Sequence, residues 1–122
     1  MKIVILYLMF ISTADAETFK VAGDLLDFRD HEGLLVRGCD KKCEALKAVE
    51  NHKKIDLKKV RAGMKFTNSI GSDVCDKVYQ AQALLGVNEN QDQRAFCYFK
   101  DNSFIEMNSL TNYLVDKKIV SE

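Results

Sequence analysis

Four cysteines, Cys39, Cys43, Cys75 and Cys97, constrain the fold of this 122-residue chain more than any other feature, provided that they are oxidised. Disulfides persist in exported proteins and are rare in the cytosol, so the compartment decides how the cysteines are interpreted. A small domain gains much of its stability from such cross-links because its hydrophobic core is limited. Whether the chain is exported therefore decides whether two cross-links restrict its possible folds.

The first sixteen residues have the pattern of an export signal. Lys2 provides a positive start, Ile3 to Ile11 form an unbroken apolar run, and Ala14-Asp15-Ala16 is a small-x-small cleavage sequence. The apolar run is too short to cross a bilayer, which takes about 20 residues. We therefore predict a cleavable signal peptide at 1–16 and a single exported domain at 17–122, located in the periplasm or secreted.

Residues 17–38 show a strand pattern. Polar and apolar residues alternate over 18–21, residues 25–28 continue the extended pattern, and the apolar residues 34–36 follow turn residues at 29–33, which predicts an N-terminal β-hairpin. Gly23 lies within the first strand of this hairpin and indicates a bulge or a tight bend.

The middle of the chain has the period of helices. Cys43, Leu46 and Val49 share one side of a first helix, and Asp56 is placed to cap a short second one. Ser72 is the expected cap of a third helix, which Gly86 ends. The apolar side of that helix is formed by Cys75, Val78, Tyr79, Gln82 and Leu85.

A second hairpin is predicted near the C-terminus, where residues 94–100 and 104–107 flank a turn. A three-residue loop pairs Cys97 with Met107, whereas a two-residue loop pairs Cys97 with Glu106. The three-residue loop gives the clearer separation, with apolar side chains on one face of the hairpin and polar side chains on the other. The stretch 110–115 fits either a short strand or a helical turn. The fold class is therefore α+β: a small disulfide-linked domain with an N-terminal β-hairpin, two to three helices and a C-terminal β-hairpin.

Four cysteines allow three pairings, of which we favour Cys75–Cys97 with Cys39–Cys43. Cys75 is on the apolar side of the third helix and Cys97 on the inward face of the second hairpin, so their bridge ties helix to sheet. The loop-closure model gives this bridge roughly 3 kcal/mol and the smaller ring about 2 kcal/mol.

Cys39 and Cys43 also form a Cys-x3-Cys motif between a strand and a helix, which supports an alternative role. Thiolates at a helix start are activated by the dipole and by lysines, and soft thiolates bind Cu(I). The chain has no proline for the cis-Pro that faces such a motif in thioredoxin-fold copper-delivery proteins. Neither His31 nor His52 has a convincing ligand spacing, so we predict no metal site and no cofactor.

A basic segment covers residues 41–65, where nine Lys and Arg face three acidic residues although the whole chain has zero net charge. Such a segment either binds an acidic partner or is a solvated helical face. Binding to nucleic acid is not expected, because only Phe66 provides an aromatic side chain nearby. The predicted partner-binding residues are Lys53, Lys54, Lys58, Lys59 and Arg61.

Residues 71–107 combine Gly71-Ser72-x-x-Cys75 with Cys97-x-Phe99-x-Asp101-x-Ser103. This pattern resembles a small exported bacterial domain of unknown function, labelled "hemolysin" in genomes, which carries two cysteines and an Asp-Gly-Ser turn. Here Asn102 stands where that family has glycine. The resemblance covers about a third of the expected mature chain and implies bacterial export and a Cys75–Cys97 bridge, but no activity.

No local motif of a hydrolase, a metalloprotease or a phosphate-binding loop is present, so the chain is not expected to be an enzyme. The predicted function is non-catalytic binding by an exported protein, either associated with the envelope or of the inhibitor or immunity type. The expected partner is another exported protein or an anionic envelope component, with no membrane span after the signal. The alternative is a thiol-redox or Cu(I)-handling protein that uses Cys39 and Cys43.

Overall fold

The computed structural model describes residues 16–38, 42–51 and 54–121. Its elements, in chain order, are β1 (Ala16–Val21), β2 (Asp24–His31), β3 (Leu34–Arg37), α1 (Glu44–Asn51), β4 (Ile55–Asp56), α2 (Leu57–Val60), α3 (Ile70–Asp73) continued by a π-helical turn (Val74–Val78), β5 (Gln82–Val87), β6 (Gln93–Tyr98), β7 (Phe104–Glu106), α4 (Met107–Asp116) and β8 (Val120–Ser121).

Six of these strands form a closed barrel in the order β1-β2-β3-β7-β6-β5, with antiparallel neighbours throughout. The barrel closes where β5 pairs with β1, through Lys20–Val87 and Val21–Gly86. A Cβ atom on Gly86 would lie 2.7 Å from the Val21 side chain and 2.9 Å from the Phe96 ring. Glycine is therefore required at this position for the two strands to approach.

The barrel interior is filled mainly by aromatic side chains, because alternate residues of each strand point inwards. The rings of Phe28 and Phe96 are 4.8 Å apart, and Phe19 meets both edge-on. The buried inner cluster consists of Phe19, Val21, Phe28, Phe96 and Phe104.

A second and larger core lies between one outer face of the barrel and the helices. Leu34, Val36 and Ile105 point outwards from the sheet and are covered by helical residues that include Leu46 and Leu110. The Cys75–Cys97 disulfide joins the π-helical turn to β6 within this core. The structure thus confirms a mixed α+β fold and the predicted bridge between helix and sheet.

The N-terminal region is not the single hairpin that the sequence predicted. Ala22 and Gly23 form a tight turn between two strands, and β2 continues through Arg29 to His31 before turning at Glu32 and Gly33. The bend expected at Gly23 is thus a complete reversal. The result is a three-stranded meander.

The predicted third helix is shorter and starts earlier than expected. Ser69, not Ser72, is its cap: the Ser69 hydroxyl accepts a hydrogen bond from the Ser72 N–H at 3.2 Å. The backbone of Gln80 has a φ of 53° and ends the helical path. Residues 82–87, predicted as its last turns, form β5 because pairing with β6 outweighs their local helical preference.

The second hairpin forms, but in neither predicted register. Cys97 pairs with Ile105, and a five-residue turn runs from Phe99 to Ser103, closed by the Phe99 N–H bond to the Ser103 carbonyl at 2.9 Å. The undecided stretch 110–115 belongs to α4. The described residues therefore contain four α-helices instead of two to three, and none has the length and apolar character to cross a membrane.

Candidate binding groove at the mouth of the barrel

One end of the barrel carries two adjoining depressions, which together we call the mouth groove. Their volumes are about 720 Å³ and 390 Å³. Gln82 and Tyr98 line both, and these residues are register partners on β5 and β6. The cross-strand pair therefore forms the boundary between the two parts of a single concave surface.

The smaller depression lies directly over the end of the barrel core. Leu26, Leu84 and Phe104 point inwards from three strands and form its apolar floor, and Asp24 and Arg37 also line it. The floor is suited to an apolar group, and the lining offers one charge of each sign.

The larger depression lies between the π-helical turn and the end of β6. Tyr79 lies against Phe99 with ring centroids 6.0 Å apart, and Glu44, Asp76 and Lys100 supply charge. Burial, with a smaller contribution from Tyr113, raises the pKa of Tyr79 well above its usual value. Its hydroxyl therefore stays protonated at any physiological pH.

Three of the six non-glycine residues with positive φ in the described part of the chain line the mouth groove. Ala22, Gln80 and Asn102 have φ angles of 53°, 53° and 67°, and all three line it. A left-handed conformation costs a non-glycine residue on the order of 1 kcal/mol or more, and such residues cluster at functional sites. The Tyr98 hydroxyl donates a hydrogen bond to the Asn102 side-chain oxygen, which fixes one side of the smaller depression.

The turn after β6 connects the mouth groove to the start of α1. Asp101 accepts a hydrogen bond from the Glu44 N–H at 2.8 Å, and Ser103 Oγ accepts one from the Ala45 N–H at 3.1 Å. Burial acts to raise the pKa of Asp101, but hydrogen bonds from Ser103 and from the Glu44 N–H outweigh it and lower the pKa. The Asp-x-Ser part of the motif in residues 71–107 is therefore a cap supplied to a helix from a distant turn.

The predicted lysine surface is separate from the groove lining. Lys54, Lys58 and Lys59 are exposed, and Lys53 lies outside the described residues. Arg61 is directed inwards instead: its Nε donates to Asp73 Oδ2 at 2.8 Å and its Nη2 to the Asn68 carbonyl at 3.0 Å. Because the Asp73 side chain is buried, this ion pair holds the end of α2 to the last residue of α3.

The predicted Cys39–Cys43 bridge involves Cys39, which lies outside the described residues, as does the predicted signal peptide up to residue 15. Cys43 is buried and takes part in a disulfide. Within the described ranges, no three His, Cys, Asp or Glu side chains come together in a way that would hold a metal ion.

Sequence reasoning did not identify the groove residues. Tyr98, Gln82 and Leu84 come together because β5 pairs with β6, whereas the sequence pattern predicted a helix where β5 begins. Asn102 carried a usable signal, since asparagine adopts positive φ more readily than most residues. Ala22 and Gln80 carried none.

Comparison with protein-family models, with curated proteins and with solved structures found no match for this chain.

Proposed function

We propose that this protein is a non-catalytic, exported binding protein and that it contacts its partner through the mouth groove. The observation that supports this most directly is the concave two-part surface at the end of a closed, disulfide-linked barrel. Its lining includes three of the six non-glycine residues with positive φ in the described part of the chain, and such backbone is found more often at functional sites than elsewhere. Binding sites are often carried on turns held by such a framework.

The lining favours a protein segment over a small molecule. Sites for small ligands enclose most of the ligand surface, whereas both depressions open to solvent along the same end of the barrel. Tyrosine, the type of Tyr98, which lines both depressions, is enriched where proteins contact one another. An inhibitor or immunity-type protein needs a rigid surface of this kind.

A photo-crosslinking residue tests the proposal in the full chain, produced with its own leader in the native organism. The label is placed at Gln80 or Asn102, which line the groove, or at Glu89 or Asp116 as exposed controls. We expect a discrete adduct from the groove positions and none from either control. Adducts of equal yield from all positions, or from the controls alone, would contradict the proposal.

A second candidate is attachment to an anionic envelope component. Phe66 is 80% exposed beside the exposed Lys65, in the segment that also carries Lys54, Lys58 and Lys59. An exposed aromatic ring flanked by cationic side chains is suited to the headgroup region of an anionic bilayer.

Vesicles that contain phosphatidylglycerol test this second candidate. The triple change K54E, K58E, K59E is compared with K77E, K117E, K118E, which alters the net charge equally at other exposed lysines. We expect the first triple alone to reduce vesicle binding, by at least tenfold. Equal effects of the two triples would show a dependence on net charge and no specific surface.

A further inference from the structure

Strand β5 is paired along its whole length on one side only. All six of its residues pair with β6, whereas on the other side only Gly86 and Val87 pair with β1. The reason is that β1 ends at Val21 and turns at Ala22 into β2. Within the described part of the chain, residues 82–85 therefore face no strand on the β1 side.

This edge lacks the features that protect exposed strand edges. Natural edges carry lysine, proline or a bulge that prevents another strand from adding to them. Residues 82–87 contain none of these and no charged side chain, and they pair with β6 without interruption. Leu85 is 62% exposed, and on β2, beyond β1, Leu25 is 74% exposed. Apolar side chains thus flank the edge on the outer face as well.

The edge borders the smaller depression of the mouth groove. A strand added beside residues 82–85 would continue the line of β1, and its side chains would alternate between the inner and outer faces as those of β1 do. Its inward side chains would follow Val21 and lie over Leu26, Leu84 and Phe104. The depression of about 390 Å³ offers room for an apolar side chain there.

We propose that an extended segment of a partner protein adds to this edge as a further strand, antiparallel to β5, with an apolar side chain in the smaller depression. The proposal specifies the ligand of the mouth groove and rests on the proposed function. Main-chain hydrogen bonds supply affinity in this mode of recognition, and alternate side-chain pockets supply selectivity.

The direction of the added strand predicts a second feature of the ligand. Continuing the direction of β1 leads past Gln82 into the larger depression, where Glu44 and Asp76 outnumber Lys100. A cationic side chain on the C-terminal side of the apolar residue complements this charge. The recognised segment is therefore extended, with an apolar residue followed by a cationic one.

Phage-displayed linear decapeptides, selected on the exported protein with its disulfides intact, provide the probe. A selected peptide is then synthesised with single N-methyl groups at successive positions. A strand that pairs with β5 directs every second N–H towards it. We therefore expect N-methylation of these N–H groups to weaken binding about tenfold, and N-methylation of the intervening ones to change affinity by less than about twofold. Enrichment of no peptide, or sensitivity with a period of three to four residues, would overturn the proposal.

Leu84→Ala and Leu85→Ala form a matched pair of variants, since Leu84 faces the depression and Leu85 faces outwards. Repeating the selection on Leu84→Ala should shift the apolar position of the peptide towards larger side chains, whereas Leu85→Ala should leave that preference unchanged. The urea midpoint of each variant verifies that it is folded. An identical preference for both variants would contradict the assigned pocket.

Amide hydrogen exchange separates this inference from the proposed function. Peptide binding should slow exchange at alternate residues of 82–85, those whose N–H groups face the open edge. If these amides gain no protection while cross-links at Gln80 and Asn102 persist, strand addition is refuted and groove binding stands. Loss of both results refutes both proposals.

Discussion

Removing the cap that the Asp101 turn supplies to α1 should destabilise the whole domain. The Ser103 side chain and the Ala45 backbone are both fully buried, so Ser103→Ala leaves the Ala45 N–H without its acceptor and out of reach of water. An unsatisfied buried donor costs about 1–3 kcal/mol. Asp101→Ala removes the acceptor of the Glu44 N–H, and loss of a capping residue costs about 0.5–2 kcal/mol.

The two changes should not add. Asp101 also accepts hydrogen bonds from the N–H and the hydroxyl of Ser103 and so orients that hydroxyl towards Ala45. Without Asp101, part of the contribution of Ser103 is already lost. We therefore expect the double variant to be destabilised by less than the sum of the single changes.

The contribution of Asp101 should also depend on pH in one direction. Its pKa is lowered in the folded protein, so its stabilising effect is present above the ordinary value of about 3.9 and is lost as the pH falls through the folded value. The stability difference between the native protein and Asp101→Ala should accordingly shrink in acid. Ser103→Ala has no such titration of its own.

Urea unfolding at pH 7 and at pH 3 measures both effects. The chain has four tyrosines and no tryptophan, so circular dichroism is the main probe and tyrosine fluorescence the second. Asp30→Ala, which removes an exposed carboxylate from β2, serves as the control and should change stability by less than about 0.5 kcal/mol. Unfolding midpoints for Asp101→Ala and Ser103→Ala equal to that of the control would refute the capping role.

Three further changes test the framework of the domain. Replacing Cys75 and Cys97 together by alanine should lower stability by about 3 kcal/mol, since the bridge closes a loop with a sequence separation of 22, and an unchanged urea midpoint would contradict this. Gly86→Ala should cost about 1–3 kcal/mol by forcing β1 away from β5, and amide exchange on β1 should rise with it. Arg61→Ala should lower the unfolding midpoint clearly more than Lys58→Ala, because Arg61 is paired with a buried carboxylate and Lys58 is exposed. Equal effects would contradict a structural role for the Arg61–Asp73 ion pair.

The parts of the fold that were predicted correctly are those with local signals. Asp56 caps α2 as expected, its side chain accepting from the Lys58 N–H at 3.0 Å, and the period of Cys43, Leu46 and Val49 predicted α1. The Cys75–Cys97 bridge followed from two apolar faces that had to meet. The first two of these inferences depend on a few neighbouring residues, and the third depends on two separate elements that each carry a cysteine on an apolar face.

The barrel depends on pairings that no short stretch encodes. Val36 meets Ile105, and Val21 meets Gly86, across most of the chain. Residues 81–85 have the composition of a helix, and Leu85 fits the helical stripe that begins at Cys75. Their strand conformation is imposed by partners on β6, so sequence reasoning gave the opposite result.

The turn from Phe99 to Ser103 explains why stability and binding should be linked in this protein. One of its sides caps α1 through Asp101 and Ser103, while the other lines the mouth groove through Asn102. Gly38 fits closely beneath it, since a Cβ there would lie 2.9 Å from the Asn102 carbonyl oxygen. The strained backbone of Asn102 is thus held in place by the same contacts that hold the helix. Any change that releases the cap should also loosen the groove. The shape of the proposed binding surface therefore depends on α1, which contributes its first residue, Glu44, to the lining.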